Sequence, residues 1–274
     1  MGGMNKKIKQ EMKLHPEALW RSADVQRRSH RFLQKSLDVV FPPQPLWIKR
    51  GGGAMGALTL IDDPQCAICG FPFPYDLGVG ALCGNCSANV PAFDRARAAF
   101  IYNHHSRQPI LSLKHGGQTH GLPVFAQQLS RAGRSLFEGA DYLVPVPLHP
   151  RRLRERRFNQ AALLARALSR IKNIPMDTQS LIRVKSTESQ GGKTASGRRR
   201  NMQGAFALAQ GHKSAMEGRN IILIDDVLTT GATVQACARV LKRAGAARVD
   251  VLTLARVVKD ETGHDDDFLS DTIM

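Results

Sequence analysis

Asp225 and Asp226 are adjacent carboxylates between an apolar run, Ile221-Ile222-Leu223-Ile224, and a turn of Thr229, Thr230, Gly231, Ala232 and Thr233. The apolar run fits a strand covered on both faces of a parallel sheet. The turn would then open a helix and offer a phosphate its backbone N–H groups, its hydroxyls and the positive end of the helix dipole. Carboxylates at the carboxyl end of such a strand lie where open α/β sheets bind ligands. They can accept hydrogen bonds from a sugar diol, or hold Mg²⁺ directly or through water. A phosphate cradle beside a diol acceptor describes a site for a ribose 5-phosphate. The plainer alternative is a strand ending in an acidic turn with an N-capping threonine. The helical pattern at Val234 to Ala244 and the strand pattern at Arg248 to Leu254 supply the context that favours a ligand site.

A second segment, Val144 to Gln160, delivers five arginines between Arg151 and Arg157 directly after a strand. Pro145, Pro147 and Pro150 would stiffen the connecting loop and lower the entropy of holding it in one shape. Guanidiniums bind phosphates bidentately, so a cluster of them suits a phosphate-rich ligand. Basic residues normally favour the other end of a helix, so their place before the helix at Asn159 calls for an anion.

Cys66-x2-Cys69 and Cys83-x2-Cys86 are separated by thirteen residues. Each pair can bring two thiolates to one metal, and four thiolates complete a closed tetrahedral shell for structural Zn²⁺. An iron–sulfur cluster uses the same ligands, and a disulfide is disfavoured where thiols are kept reduced. Gly70 and Gly84 follow a cysteine in each knuckle and are expected in tight turns. Cys237 falls in the helix after the phosphate loop and reads as a core residue. Among the histidines, His115, His120 and His149 are available, yet none stands out as a general base.

Strands alternating with helices position these groups. Strand patterns fall at Ala98 to Tyr102, Tyr142 to Pro147, Leu181 to Val184, Gly204 to Ala209 and Val249 to Ala255. Helical spacing falls at Gln108 to Leu113, Gly121 to Phe137 and Asn159 to Ile171. That order argues for an α/β fold with a mainly parallel sheet. Expected divisions are a helical or flexible extension over 1–60, a four-cysteine zinc ribbon over 61–91, the α/β domain over 92–258 and an acidic disordered tail over 259–274. The polar, glycine-rich gap from Lys185 to Asn201 is expected to move. Its Gly191-Gly192-Lys193-Thr194 lacks the spacing of a nucleotide-binding P-loop.

Lys and Arg exceed Asp and Glu by sixteen, a balance that favours polyanions, whether nucleic acid or a small polyphosphate. Hydrophobic residues make up 42%, enough for a real core. No apolar run approaches membrane-spanning length, and no secretory signal is legible, so a cytoplasmic protein with no membrane span is expected.

The strand, acidic pair and Thr-Gly-x-Thr turn closely resemble the phosphoribosyl pyrophosphate (PRPP) motif of type I phosphoribosyltransferases. Pro145-Val146-Pro147-Leu148-His149, the arginines after it and Phe158-Asn159-Gln160-Ala161 narrow the resemblance to the ComF/GntX proteins. So do Leu113 to Gly117, Thr187-x2-Gln190 and Arg199-x-Asn201-x2-Gly204-Ala205-Phe206, within a similarity covering Asp62 to Val257. One departure is Arg157, where that family commonly has glycine. The resemblance implies a type I phosphoribosyltransferase-like sheet with helices on both faces, preceded by a zinc ribbon of four cysteines. It implies that Asp225 and Asp226 read the ribose diol and that Thr229 to Thr233 hold the 5-phosphate. His149, Arg151, Arg152 and Arg154 would face the pyrophosphate. Ser186, Thr187, Gln190, Arg198, Arg199 and Asn201 would belong to a hood over PRPP–Mg²⁺. Implied functions are phosphoribosyl transfer to an unidentified acceptor, a PRPP-responsive regulator without turnover, or a competence-type accessory protein meeting single-stranded DNA or a helicase partner.

Overall fold

Ile221 to Ile224 are fully buried, as a continuous apolar run requires when both faces of its strand are covered. The computed structural model of the chain describes residues 58–115, 121–185, 202 and 204–258, all within the unit Pro45–Met274. Its strands are β1 (Ala96–Ile101), β2 (Tyr142–Pro145), β3 (Leu181–Arg183), β4 (Phe206–Leu208), β5 (Asn220–Leu228) and β6 (Arg248–Arg256). Its α-helices are α1 (Gly84–Ala88), α2 (His104–His115), α3 (Leu122–Ala132), α4 (Pro150–Arg156), α5 (Gln160–Lys172), α6 (Lys213–Met216) and α7 (Ala232–Arg243). Four strands form a wholly parallel sheet in the order β1-β6-β5-β2. This is the parallel α/β sheet that the alternating pattern called for.

Alternation of side chains along the central strands sends them into two cores. On one face Ile221, Leu223, Val249 and Val251 meet Val234, Ala238 and Leu241 of α7. On the other, Ile222, Ile224, Leu252 and Leu254 meet Phe125 and Leu129 of α3 and Leu164 and Leu168 of α5. Helix α5 begins where the Asn159 carboxamide accepts from the Ala161 N–H at 3.0 Å, and it stops at Asn173 in the left-handed region. Helix α2 starts four residues before its apolar pattern because Asn103 Oδ1 accepts from the N–H groups of His105 and Ser106.

Three expectations are corrected. β3 and β4 do not join the parallel sheet; they pair antiparallel with each other. Each is three residues long and partly exposed, too short to cross a buried sheet. Strand β5 does not end at the acidic pair but runs on to Leu228, because β6 continues beside it with Val227 opposite Ala255 and Leu228 opposite Arg256. The arginine segment is not an irregular loop: Pro150 sits in the first turn of α4, where its fixed φ suits a helix and its missing N–H costs nothing.

The extension through residue 57, residues 186–201 of the expected hood and the tail from 259 lie outside the described residues. Among the described residues no helix is long and apolar enough to cross a membrane.

Candidate functional site

The four cysteines of the two knuckles converge. Their Sγ atoms all lie within 4.8 Å of one another, with Cys69 and Cys83 3.6 Å apart. A tetrahedral ion with bonds of about 2.3 Å needs sulfurs about 3.8 Å apart, so the set fits one metal ion. None of the cysteines is in a disulfide. The Cys83 N–H donates to Cys66 Sγ at 3.3 Å, and Gly70 N–H returns to the Cys66 carbonyl at 2.9 Å. Burial works against ionising Cys66, yet the N–H groups of Cys83, Cys69 and Ile68 hold its thiol down at about 7. Burial pushes the Cys69 thiol up against the pull of Arg256, and burial with the neighbouring Cys69 raises Cys86. Thiols crowded this way ionise together only when a cation shares the charge.

Gly70 is required by the fold: φ is +68°, and a Cβ there would stand 2.5 Å from the Ala96 carbonyl oxygen. Gly84 is different. It has open space around it and opens α1 without a left-handed φ, so the expected tight turn is absent at the second knuckle. Cys237 is buried in α7 and stands apart from the four-sulfur group.

At the carboxyl ends of β5 and β2 the acidic pair and the arginine segment become neighbours. β2 pairs with β5 through Pro145 opposite Ile224, and the Val146 N–H still donates to the Ile224 carbonyl at 2.9 Å. The chain therefore leaves β2 beside Asp225. Asn159 closes the excursion by donating from Nδ2 to the Val146 carbonyl at 3.0 Å. Between these points His149 caps α4, its Nδ1 accepting from the Arg151 N–H at 3.2 Å. Arg151 and Glu155 form an exposed pair at 3.4 Å. The segment ends at Arg157, whose φ of 64° lies in the left-handed region.

Asp225 and Asp226 are half-buried on β5. Asp225 Oδ1 accepts from the Asp226 N–H at 2.9 Å, and Asp226 Oδ1 from the Val227 N–H at 2.8 Å. Thr229 and Thr230 follow, exposed, and Gly231 turns the chain with φ +70° into α7. A glycine meets that angle without the Cβ penalty. Thr230 Oγ1 accepts from the Ala232 N–H at 3.4 Å, and Thr233 Oγ1 reaches Met202 Sδ at 3.8 Å. The loop thus presents exposed hydroxyls and the first N–H groups of a twelve-residue helix to one place. Gln190 and Arg199, with Ser186, Thr187, Arg198 and Asn201, lie outside the described residues.

Sequence reasoning passed over Arg183. It is a half-buried guanidinium at the end of β3, 5.4 Å from the centre of the Phe206 ring on β4. Burial, then the nearby charge of Arg152, lower its proton affinity, while Cys237 and Asp225 act the other way. Arg152 is likewise lowered by burial first and then by Arg156. Arg183 therefore feels both the charge of Arg152 and that of Asp225. Its one sequence signal was a cation closing a short apolar strand just before a glycine-rich polar gap. Arg151 and Arg154, by contrast, are exposed along α4.

Residues 159–271 match the phosphoribosyl transferase domain. Over 77% of its length the chain is 33% identical to "Competence protein F" of Haemophilus influenzae, covering 93% of that protein. It is 30% identical to "DNA utilization protein YhgH" of Escherichia coli over 73% of this chain and 87% of the relative. With "Competence protein ComFC" of Bacillus subtilis the identity is 32%, over 70% and 77% of the two chains. With the parallel sheet, the acidic pair on β5 and the four-cysteine cluster in place, these similarities mean that the chain belongs to the ComF/GntX family of phosphoribosyltransferase-fold proteins.

Proposed function

We propose that this chain binds PRPP with Mg²⁺ and transfers the phosphoribosyl group to a nucleophilic acceptor, releasing pyrophosphate. The observation that supports this most is the Gly231 turn. It opens α7 just after β5, the strand that carries Asp225 and Asp226 and pairs with β2. Thr229, Thr230, Gly231, Ala232 and Thr233 would hold the 5-phosphate, and Asp225 and Asp226 the ribose diol. Arg152, together with Arg183, would meet charge developing on the pyrophosphate as the bond from C1 breaks, a preorganised contribution that water cannot match. His149, Arg151 and Arg154 would line the exit of β2 toward α4, and Gln190 and Arg199 would approach from the hood. When bound, Mg²⁺ would neutralise the leaving oxygens. The four cysteines would hold structural Zn²⁺, a closed shell that leaves no position for substrate. The setting would be the cytoplasm.

Pyrophosphate release tests the reading. Incubation with PRPP, Mg²⁺ and a panel of bases, amines and ammonia should give release with at least one acceptor and none in Asp225→Ala/Asp226→Ala. PRPP binding without release from any acceptor would mark a regulator rather than a transferase.

A second reading, contact with single-stranded DNA, is favoured by the net charge of +16 and by the names of the relatives from Haemophilus influenzae and Escherichia coli. Its affinity should fall steeply with salt as phosphate contacts release counterions. Weak, salt-independent binding would remove it.

A further inference from the structure

Arg256 closes β6 and is only 8% exposed. Burying a guanidinium is costly unless negative charge or hydrogen-bond acceptors compensate. Among the described residues no carboxylate lies within ion-pair distance of Arg256, and its buried Nε makes no hydrogen bond. What it does face is the first cysteine knuckle. Its Nη1 donates to the Cys69 carbonyl, and its guanidinium lies 5.4 Å from the centre of the Phe71 ring. Four thiolates around a divalent ion would carry a net charge of about −2 and so would supply that counter-charge.

The backbone of the same residue is fixed to the opposite neighbourhood. Arg256 stands opposite Ile101 in β1 and Leu228 in β5. Its carbonyl accepts from the Tyr102 N–H at 2.7 Å, and the next N–H, of Val257, donates to the Leu228 carbonyl at 2.9 Å. Leu228 immediately precedes Thr229 of the phosphate loop. One residue therefore spans the distance between a metal knuckle and the strand end that carries the loop.

We propose that Arg256 is a positioning residue that couples the four-cysteine metal centre to the phosphate loop. Its guanidinium is held by the metal-bound knuckle, and the N–H of the next residue, Val257, holds the Leu228 carbonyl just before Thr229. Losing the metal frees the side chain and loosens the loop; filling the loop restrains β5 and β6 and so protects the metal. Linkage makes the two effects equal in free energy. The inference rests on the reading that this loop binds the 5-phosphate of PRPP.

The test uses the full zinc-loaded chain and reads zinc loss to a chromogenic chelator, with and without PRPP and excess Mg²⁺. In the unsubstituted protein, saturating PRPP should slow zinc loss about fivefold or more. Arg256→Met should speed zinc loss, weaken PRPP binding by a similar factor and abolish the protection, while Arg256→Lys, which keeps the charge, recovers part of each. Protection in the unsubstituted protein needs no variant and so survives a folding failure. PRPP that binds normally while zinc loss is unchanged overturns the coupling alone. An unsubstituted protein that binds no PRPP overturns the reading of the loop and the coupling with it. An Arg256→Met variant that keeps its zinc, its PRPP affinity and its protection overturns the role of Arg256.

Discussion

The Arg183 guanidinium lies 5.4 Å from the centre of the Phe206 ring, on the facing strand of a two-stranded antiparallel pair. That contact holds a cation in place two residues after the start of β3, within the electrostatic reach of Asp225 and Arg152. Arg183→Ala should weaken PRPP binding roughly tenfold, the size expected for one lost hydrogen bond to a charged group. Arg151→Ala should change affinity much less, because Arg151 is 60% exposed and already paired with Glu155. Titrations of the two variants side by side would show the ranking; equal losses would place the anion along α4 instead.

Arg157 adopts φ 64° at the end of α4, in the position where the family commonly carries glycine. A side chain in the left-handed region costs about 1 kcal/mol, offset in part by the greater freedom that glycine has in the unfolded chain. Arg157→Gly should therefore raise stability slightly, by about 0.5 kcal/mol. A shift of the urea midpoint upward at constant slope is the expected readout.

Gly70 follows the second cysteine of its knuckle and Gly84 the first of its own, and the two should respond differently. Gly70→Ala puts a methyl 2.5 Å from the Ala96 carbonyl at φ +68° and should cost about 2 kcal/mol or more. Gly84→Ala enters open space at the start of a helix and should be neutral or mildly stabilising. Thermal midpoints and zinc content, measured together, separate the two.

Asp177 predicts the acid limb of stability. Burial raises its pKa, but the Ser180 hydroxyl and the N–H groups of Ser180 and Gln179, with the charge of His212, hold the carboxyl below its ordinary value. A depressed folded-state pKa gives stability that is present above the unfolded value of about 3.9 and is lost as pH falls through the folded one. Because the Ser180 hydroxyl also contacts His212 Nδ1 at 3.0 Å and the Ser180 carbonyl accepts from the Ala209 N–H, the affected region is the base of the β3–β4 pair. Asp177→Asn should flatten the loss of stability below pH 4, as followed by denaturant titration at several pH values.

The strongest periodic signals in the sequence were also the ones that packing satisfies locally. Ile221 to Ile224, the α5 stripe and the Cys-x2-Cys pairs each carry their own geometry, so the strand, the helix and the four-sulfur cluster follow from spacing. What stayed hidden depends on long-range partners. β5 runs past Asp226 only because β6 lies beside it, and β3 leaves the sheet because β4 takes it. Arg183 and Arg256 look like ordinary strand-end cations in one dimension. Their roles depend on Phe206 and on Cys69 and Phe71, the last two more than 180 residues away in sequence. The Pro150 helix was obscured by proline itself, which signals a loop by composition yet fits the first turn of a helix.

Calorimetric titration of the zinc-loaded protein with PRPP and Mg²⁺ tests the central claim most directly. The account predicts saturable one-site binding that disappears in Asp225→Ala/Asp226→Ala while the fold and the zinc content are retained. No heat of binding in the unsubstituted protein, or equal affinity in the double variant, would contradict it.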